Sequence, residues 1–331
     1  MNILVTGGAG YIGSVVTSDL LAKGHTVIVY DNLSHGHKEA VPEGAKLVVG
    51  DIGDGDAIRK TLKNHHIDAV MHFAALIEAG ESMKDPGRFF QNNTANALTL
   101  LNSMQAEGVS KLVFSSTAAV YGNPIKTPIA EDHPLSPTNA YGESKLLVER
   151  MLPWFHHAHG LRYAALRYFN AAGGTPQRGE EHQPESHLIP LAIAAVRGDR
   201  PPLQLFGTDY KTKDGTCVRD YIHIKDLSSA HLLALDALSR PDTEGQLIYN
   251  LGNGEGFTNR EVLETIGKVA GKPVPYTDAP RRPGDPAVLI ADSTKIQKEL
   301  GWKTQYPDLE SIVQTAWDWR EAHPQGYGKE R

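Results

Sequence analysis

Thr6-Gly7-Gly8-Ala9-Gly10-Tyr11-Ile12-Gly13 follows the apolar run Asn2-Ile3-Leu4-Val5 and opens a stretch of helical periodicity. A pyrophosphate can rest on a helix N-terminus only where no Cβ intervenes. Gly7 and Gly10 are expected to supply that approach, and Gly13 to let the helix pack tightly on the sheet, with Tyr11 and Ile12 counted as further dinucleotide contacts. Glycine turns are common, so the specificity lies in the context: a strand before, a helix after, and an acid downstream. That acid is Asp31, at the end of the second strand, followed by Asn32-Leu33-Ser34-His35. Its carboxylate can accept from adenosine ribose hydroxyls and would repel a 2′-phosphate, which predicts NAD rather than NADP. The competing reading is a turn acid that merely closes the strand.

Outward from this turn, short Val- and Ile-rich runs alternate with helical segments, the pattern of a parallel sheet wound by helices. Strands are expected at 2–6, 26–31, 46–50, 68–73, 111–115 and 162–168, and helices at 11–23, 54–65, 86–107 and 141–159. The fold class is therefore α/β, a Rossmann-like doubly wound sheet with a smaller C-terminal α/β lobe. Regular alternation stops near Gly173, and 171–186 is rich in Gly, Pro, Gln and Glu, which reads as a loop between lobes. Two domains follow: 1–172 for the dinucleotide and 173–331 for the substrate, with some elements free to cross back. The second is expected to hold helices at 187–197, 226–239, 258–271 and 309–322 and strands at 203–206, 221–224 and 247–251.

Composition narrows the partners. Hydrophobic residues make up 40% of the 331, ordinary for a soluble globular protein, and no apolar run reaches the ~18 residues of a membrane span. A net charge of −6 disfavours nucleic acid and acidic membranes, so an anionic substrate must be caught by local arginines. The lone Cys217 fits a reducing compartment and a cytoplasmic protein. His35 and His37, or His156, His157 and His159, lack a Cys or carboxylate at ligand spacing; surface histidines are the expectation, and no metal.

Further strand ends converge on the same edge. Asp51-Ile52 can reach the adenine, and Phe73-Ala74-Ala75 offers small residues beside the pyrophosphate. Tyr141-Gly142-Glu143-Ser144-Lys145 puts a tyrosine and a lysine on one helix face, with the ammonium beside the phenol oxygen or beside a neighbouring ribose. A tyrosine of pKa about 10 must be lowered by roughly 3 units to act as a base at neutral pH, which needs about 4 kcal/mol of phenolate stabilisation. Lys145 and a positive nicotinamide ring are expected to share that work. Upstream, Phe114-Ser115-Ser116-Thr117 ends the fifth strand, where the Thr117 hydroxyl can bond the reacting oxygen; capping by Ser115 and Ser116 is the plainer reading.

These residues resemble the extended short-chain dehydrogenase/reductases and, within them, the UDP-glucose 4-epimerases. Besides the motifs above, the likeness includes Asn93, Tyr168-Phe169-Asn170, Phe206-Gly207, Gly215-Thr216-Cys217-Val218-Arg219-Asp220-Tyr221-Ile222-His223 and Arg281-Arg282-Pro283-Gly284-Asp285. It implies bound NAD, a UDP-sugar substrate, a transient 4-keto sugar and a homodimer joined by helices near 86–107 and 141–159. It further implies that Asn93, Tyr168 and Phe169 touch the cofactor, and that Arg219 and Arg282 anchor the diphosphate. Asn170, His187, Leu188, Gln204, Leu205, Phe206, Asp285 and Leu289 complete the implied substrate site, with Gln204, Leu205 and Phe206 against the uracil. At the position of Leu289 a tyrosine accompanies restriction to glucose and galactose, and a smaller residue accompanies tolerance of N-acetyl sugars. One departure is Ile77, where some such epimerases carry a lysine over the cofactor.

Three readings compete. A 4,6-dehydratase would need an Asp-Glu pair directly after Thr117, where Ala118 and Ala119 stand. Epimerases of UDP-GlcNAc, UDP-glucuronate or UDP-pentoses would use the same 4-keto chemistry with another sugar pocket. A non-catalytic NAD-binding protein would have no need of Thr117, Tyr141, Lys145 and both arginines together.

Overall fold

Apolar strands buried on both faces belong in a parallel sheet covered by helices, and a computed structural model, describing residues 1–282 and 285–328, builds one of seven strands. From edge to edge these are Gln246–Leu251, Arg162–Tyr168, Lys111–Thr117, Ala69–His72, Asn2–Thr6, Thr26–Asp31 and Lys46–Val49, every neighbouring pair parallel. Side chains alternate between faces. Ile3 and Val5 join the core under helices Tyr11–Ala22 and Ile224–Leu238, whereas Leu4 joins the core under Gly55–Asn64, Asn96–Ala106 and Ala140–His159. The winding reverses beside the first strand, with the second and third strands to one side and the fourth to the other. Such a reversal opens a crevice at the C-terminal strand ends.

Local chemistry fixes the helix that carries Tyr141. The Asn139 side chain accepts from Gly142 N at 2.8 Å, starting the helix at Ala140, and Gly160 in the left-handed conformation (φ 69°) ends it. Two elements differ from the sequence expectation. The fifth strand runs on to Thr117, because each of its residues stays paired with the sixth strand up to Tyr168. The helix expected over 86–107 is three pieces, Pro86–Phe89, a widened π turn at Phe90–Ala95, and Asn96–Ala106. A π turn inside a helix marks a place where local needs override regular winding.

Beyond residue 172 the chain divides its loyalty. Ile224–Leu238 and Gln246–Leu251 return to the large sheet. The remainder packs helices Leu188–Arg197, Asn259–Ala270 and Leu309–Ala322 around a separate core with Leu203, Leu205 and Tyr221. Its strands are short. Val218–Arg219 lies between Phe257–Thr258 and Val288–Leu289, Leu203–Phe206 pairs with Tyr276–Ala279, and Tyr221–His223 pairs with Asn170–Ala172. Two-residue strands carry too little alternation to be read from sequence, and helix Thr294–Leu300 lies among residues without a clear period. Among the described residues no helix is long and apolar enough to cross a membrane.

Candidate functional site

One cleft runs along the C-terminal edge of the sheet. It is lined by Gly7, Gly10, Tyr11, Ile12 and Gly13 from the glycine turn and by Asp31, Asn32, Asp51, Ile52, Phe73, Ala74 and Ala75 from the next strand ends. Thr117, Tyr141, Tyr168, Phe169, Asn170 and His187 line it farther along. Ile77 stands at its wall with Glu78.

The glycines divide their work differently from the sequence expectation. A Cβ on Gly7, at φ +71°, would lie 2.5 Å from Ala74 N, so its bareness lets the turn meet the fourth strand's exit. A Cβ on Gly13 would lie 2.2 Å from Gly7 O: this glycine closes the turn on itself rather than the helix on the sheet. At Gly10 only Gly7 O comes near, at 3.3 Å, leaving an open cradle that an added side chain would fill. A pyrophosphate fits there. Asp31 Oδ2 accepts from Ala9 N at 3.0 Å and Oδ1 from Leu33 N at 2.8 Å, and burial raises its pKa despite both donors. Each oxygen keeps a lone pair beyond these bonds, and Asp31 lines the cleft that a ribose would enter. Asp51 is tied by Asn32 Nδ2 at 2.8 Å and Gly53 N at 2.7 Å. These features fit a dinucleotide without a 2′-phosphate.

Asn93 stands elsewhere than expected. Its amide is spent on Leu76, accepting from N at 2.8 Å and donating to O at 2.9 Å, and it also donates to Ser144 Oγ at 3.0 Å. From the π turn it braces the wall of the cleft and leaves no free amide for a cofactor. Loop geometry of this kind has no signature in the sequence.

At the cleft's inner end, burial raises the Tyr141 pKa, a hydrogen bond from Thr117 lowers it, and Glu78 raises it again. The protein by itself therefore holds Tyr141 as the phenol, the reverse of what a base needs. Lys145 Nζ donates to Ser115 O at 2.8 Å and lies 5.1 Å from the centre of the Phe114 ring. Burial lowers its pKa to about 7. Beneath the strand end, Ser116 Oγ meets Glu149, which chelates Arg167 Nε at 3.0 and 3.1 Å. Arg167 also donates to Tyr121 OH at 2.9 Å. Neither Glu149 nor Arg167 stood out in the sequence, since burial and pairing exist only in the folded chain.

The expected UDP contacts form a second cluster beside the cleft. Asn170 Nδ2 donates to Asp220 O at 2.8 Å. The next residue back, Arg219, donates from Nη1 to Val218 O and Pro286 O, each 2.9 Å, with Asp285 3.7 Å from its other nitrogen. Arg282 lies 4.1 Å over the Phe206 ring. The adjoining Pro283 and Gly284 of the expected motif lie outside the described residues. Leu289 pairs with Arg219 in the small sheet and packs on the apolar cluster of Ala118, Tyr121 and Phe169, flanking Thr117. Strand alternation corrects one expectation: Gln204 is exposed and Phe206 partly so, but Leu205 turns into the core at 2% exposure, leaving only its backbone for a uracil. Leu188 likewise packs against that core.

The chain is similar to known proteins along nearly its whole length. The family model described as the NAD dependent epimerase/dehydratase family matches residues 3–252. A UDP-glucose 4-epimerase of Halalkalibacterium halodurans is 50% identical, covering 100% of this chain and 98% of that protein. A crystal structure of a UDP-glucose 4-epimerase superposes with a TM-score of 0.96 at 46% identity, over 99% of this chain and 100% of the other. The UDP-glucose 4-epimerase of Bifidobacterium longum, solved with NAD+ and UDP, gives 0.94 at 38% identity over 98% and 100%.

Proposed function

The chain belongs to the NAD dependent epimerase/dehydratase family, and on that premise we propose that the cleft epimerises a UDP-hexose, with Tyr141 moving the proton of the sugar 4-hydroxyl. The enzyme is an NAD-dependent isomerase that inverts C4 of a UDP-hexose. The observation that carries the residue assignment is the placement of the Tyr141 and Thr117 hydroxyls in the same cleft as Gly10 and Asp31. When bound, NAD supplies hydride exchange at C4. Tyr141 takes the 4-hydroxyl proton and later returns it, and Thr117 hydrogen-bonds the same oxygen. Because burial keeps Tyr141 protonated, positive charge brought beside it on ligand binding must lower its pKa. Lys145, held against Ser115 O, would bond a ribose.

Inversion requires that the 4-keto sugar turn over while UDP stays. Arg219, Arg282 and His187 would hold the diphosphate, and Asn170, Gln204 and Phe206 the nucleoside. Leu289, shorter than a tyrosine, leaves room near the sugar. UDP-glucose and UDP-galactose are the proposed pair. The division of labour would follow 1–172 for NAD, with the returning segment 224–251, and the rest of 173–331 for UDP. We further propose a cytoplasmic homodimer. Trp154, Met83 and Leu98, 75%, 63% and 39% exposed on the helical layer, are the apolar side chains that such an association would cover.

The test is incubation with a panel of UDP-sugars and chromatographic separation of the products, together with release of dinucleotide by denaturation. Conversion of UDP-galactose to UDP-glucose and about one NAD per chain are expected, since a redox-neutral cycle has no reason to release its cofactor. No turnover, or NADP in place of NAD, would overturn the assignment of Asp31 and Tyr141.

A further inference from the structure

The loop entering the second lobe contains Glu180-Glu181-His182-Gln183-Pro184-Glu185-Ser186-His187. Its odd member Glu181 turns away, accepting from Tyr327 N at 2.8 Å. The other acids and both histidines converge. His187 Nδ1 lies 2.8 Å from Glu180 Oε1 and 3.1 Å from Glu185 Oε1, and His182 Nδ1 lies 3.3 Å from Glu180 Oε1 and 3.7 Å from Glu185 Oε2. One donor atom from each of the four falls within 4.8 Å of every other. We propose that Glu180, His182, Glu185 and His187 form a four-coordinate site for a zinc-class divalent cation.

Geometry and chemistry both favour a metal over fortuitous crowding. A tetrahedral ion with bonds of about 2.0–2.1 Å separates its ligand atoms by about 3.3 Å; the four donors, within 4.8 Å of one another, need draw in only slightly around it, with Glu185 using one of the two oxygens that now face separate histidines. His182 Nδ1 is buried and makes no hydrogen bond of acceptable angle, although Glu180 stands within ion-pair range. Facing both Glu180 and Glu185, that nitrogen can carry either a proton or, through its lone pair, a metal ion. Two imidazoles and two carboxylates balance a dication, and nitrogen donors select zinc, cobalt or nickel over magnesium or calcium. With four protein ligands the site is closed, hence structural rather than catalytic, and since His187 enters it through Nδ1, only its Nε2 is left for a diphosphate.

Position gives it a task. Glu180, His182 and His187 line the cleft, the His182 ring meets Tyr11 edge-on at 6.3 Å, and Tyr11 OH donates to Gly173 O at 2.6 Å. His187 is the residue before helix Leu188–Arg197. An ion here would pin the loop between the lobes to the start of that helix, beside the glycine turn. Loading would displace the protons that otherwise hold the imidazoles and carboxylates together.

The experiment measures metal content of untagged protein by mass spectrometry, then melting temperature after a chelator and after zinc or magnesium is added, all without substrate. This separates it from any question about His187 and UDP. About one zinc per chain is expected, with a melting temperature lowered by the chelator and restored by zinc but not magnesium. Cobalt in place of zinc should give the intense visible bands of a tetrahedral site. Glu185→Gln and His182→Ala should each weaken zinc binding by more than the roughly 10–100-fold that loss of an outer-shell partner costs. Should either variant fail to fold, the cobalt spectrum of the unaltered protein decides. No zinc uptake at micromolar zinc, a calcium- or magnesium-filled site, or unchanged uptake in both variants would overturn the proposal.

Discussion

The two sides of the cleft are built in opposite ways. On the cofactor side each group stands at the end of a long parallel strand or at the start of the adjoining helix, and Thr117, Lys145 and Asp31 are 8%, 2% and 8% exposed. On the side proposed for the nucleotide, Arg219 and Leu289 sit on two-residue strands, and Arg282 is exposed over a phenyl ring. A rigid sheet edge can hold chemistry to a fraction of an ångström, as proton transfer requires. Permanent charges on short strands tolerate displacement, because attraction to a diphosphate falls off slowly with distance.

If that contrast is correct, substitutions on the rigid side should strike the chemical step and leave binding alone. Tyr141→Phe should cut kcat by about 10²–10⁴-fold, with NAD content and melting temperature unchanged. Near-normal turnover would break the contrast at its centre. Thr117→Val should cost less, because one hydrogen bond to the reacting oxygen remains replaceable.

Rigidity should also have a measurable cost in stability. With its pKa lowered to about 7, Lys145 favours the neutral form in the folded chain more than in the unfolded one. Its burden on stability is full below pH 7 and fades as pH rises toward the unfolded value. Lys145→Met should therefore raise stability by a few kcal/mol at pH 6, by a shrinking amount toward pH 10, and abolish turnover. Denaturant melts at several pH values check this, and a destabilised variant would mean that the bond to Ser115 O outweighs desolvation.

On the adaptable side the effect should appear in binding. Arg282→Ala should weaken UDP by about 2 kcal/mol, roughly 30-fold, measured calorimetrically with UDP alone. An unchanged dissociation constant would return Arg282 to a surface charge stacked on Phe206. The smallest effect sharpens the boundary between the sides. Leu289→Tyr should reduce kcat/KM for UDP-GlcNAc by about tenfold or more while leaving UDP-glucose nearly untouched. Equal loss on both sugars, or no N-acetyl turnover before substitution, would separate Leu289 from the sugar pocket.

The sequence by itself determined the parallel sheet, the glycine turn with Asp31, and the Tyr141–Lys145 face, because each rests on local spacing: period two in strands, four residues on a helix, a glycine run between them. Leu205 follows that same alternation into the core, away from the uracil that the family resemblance implies for it. Tertiary structure alone decided the rest. Asn93 braces Leu76 instead of facing the cleft, since a π turn and a distant backbone meet there. Lys145 reaches Ser115 rather than the Tyr141 oxygen, and burial raises the Tyr141 pKa. The strand Gln246–Leu251 rejoins the first lobe across more than 70 intervening residues, and the acids and imidazoles of 180–187 converge only when the loop folds back on itself. Desolvation and long-range pairing depend on what surrounds a side chain in space, and a linear order of residues carries no record of that.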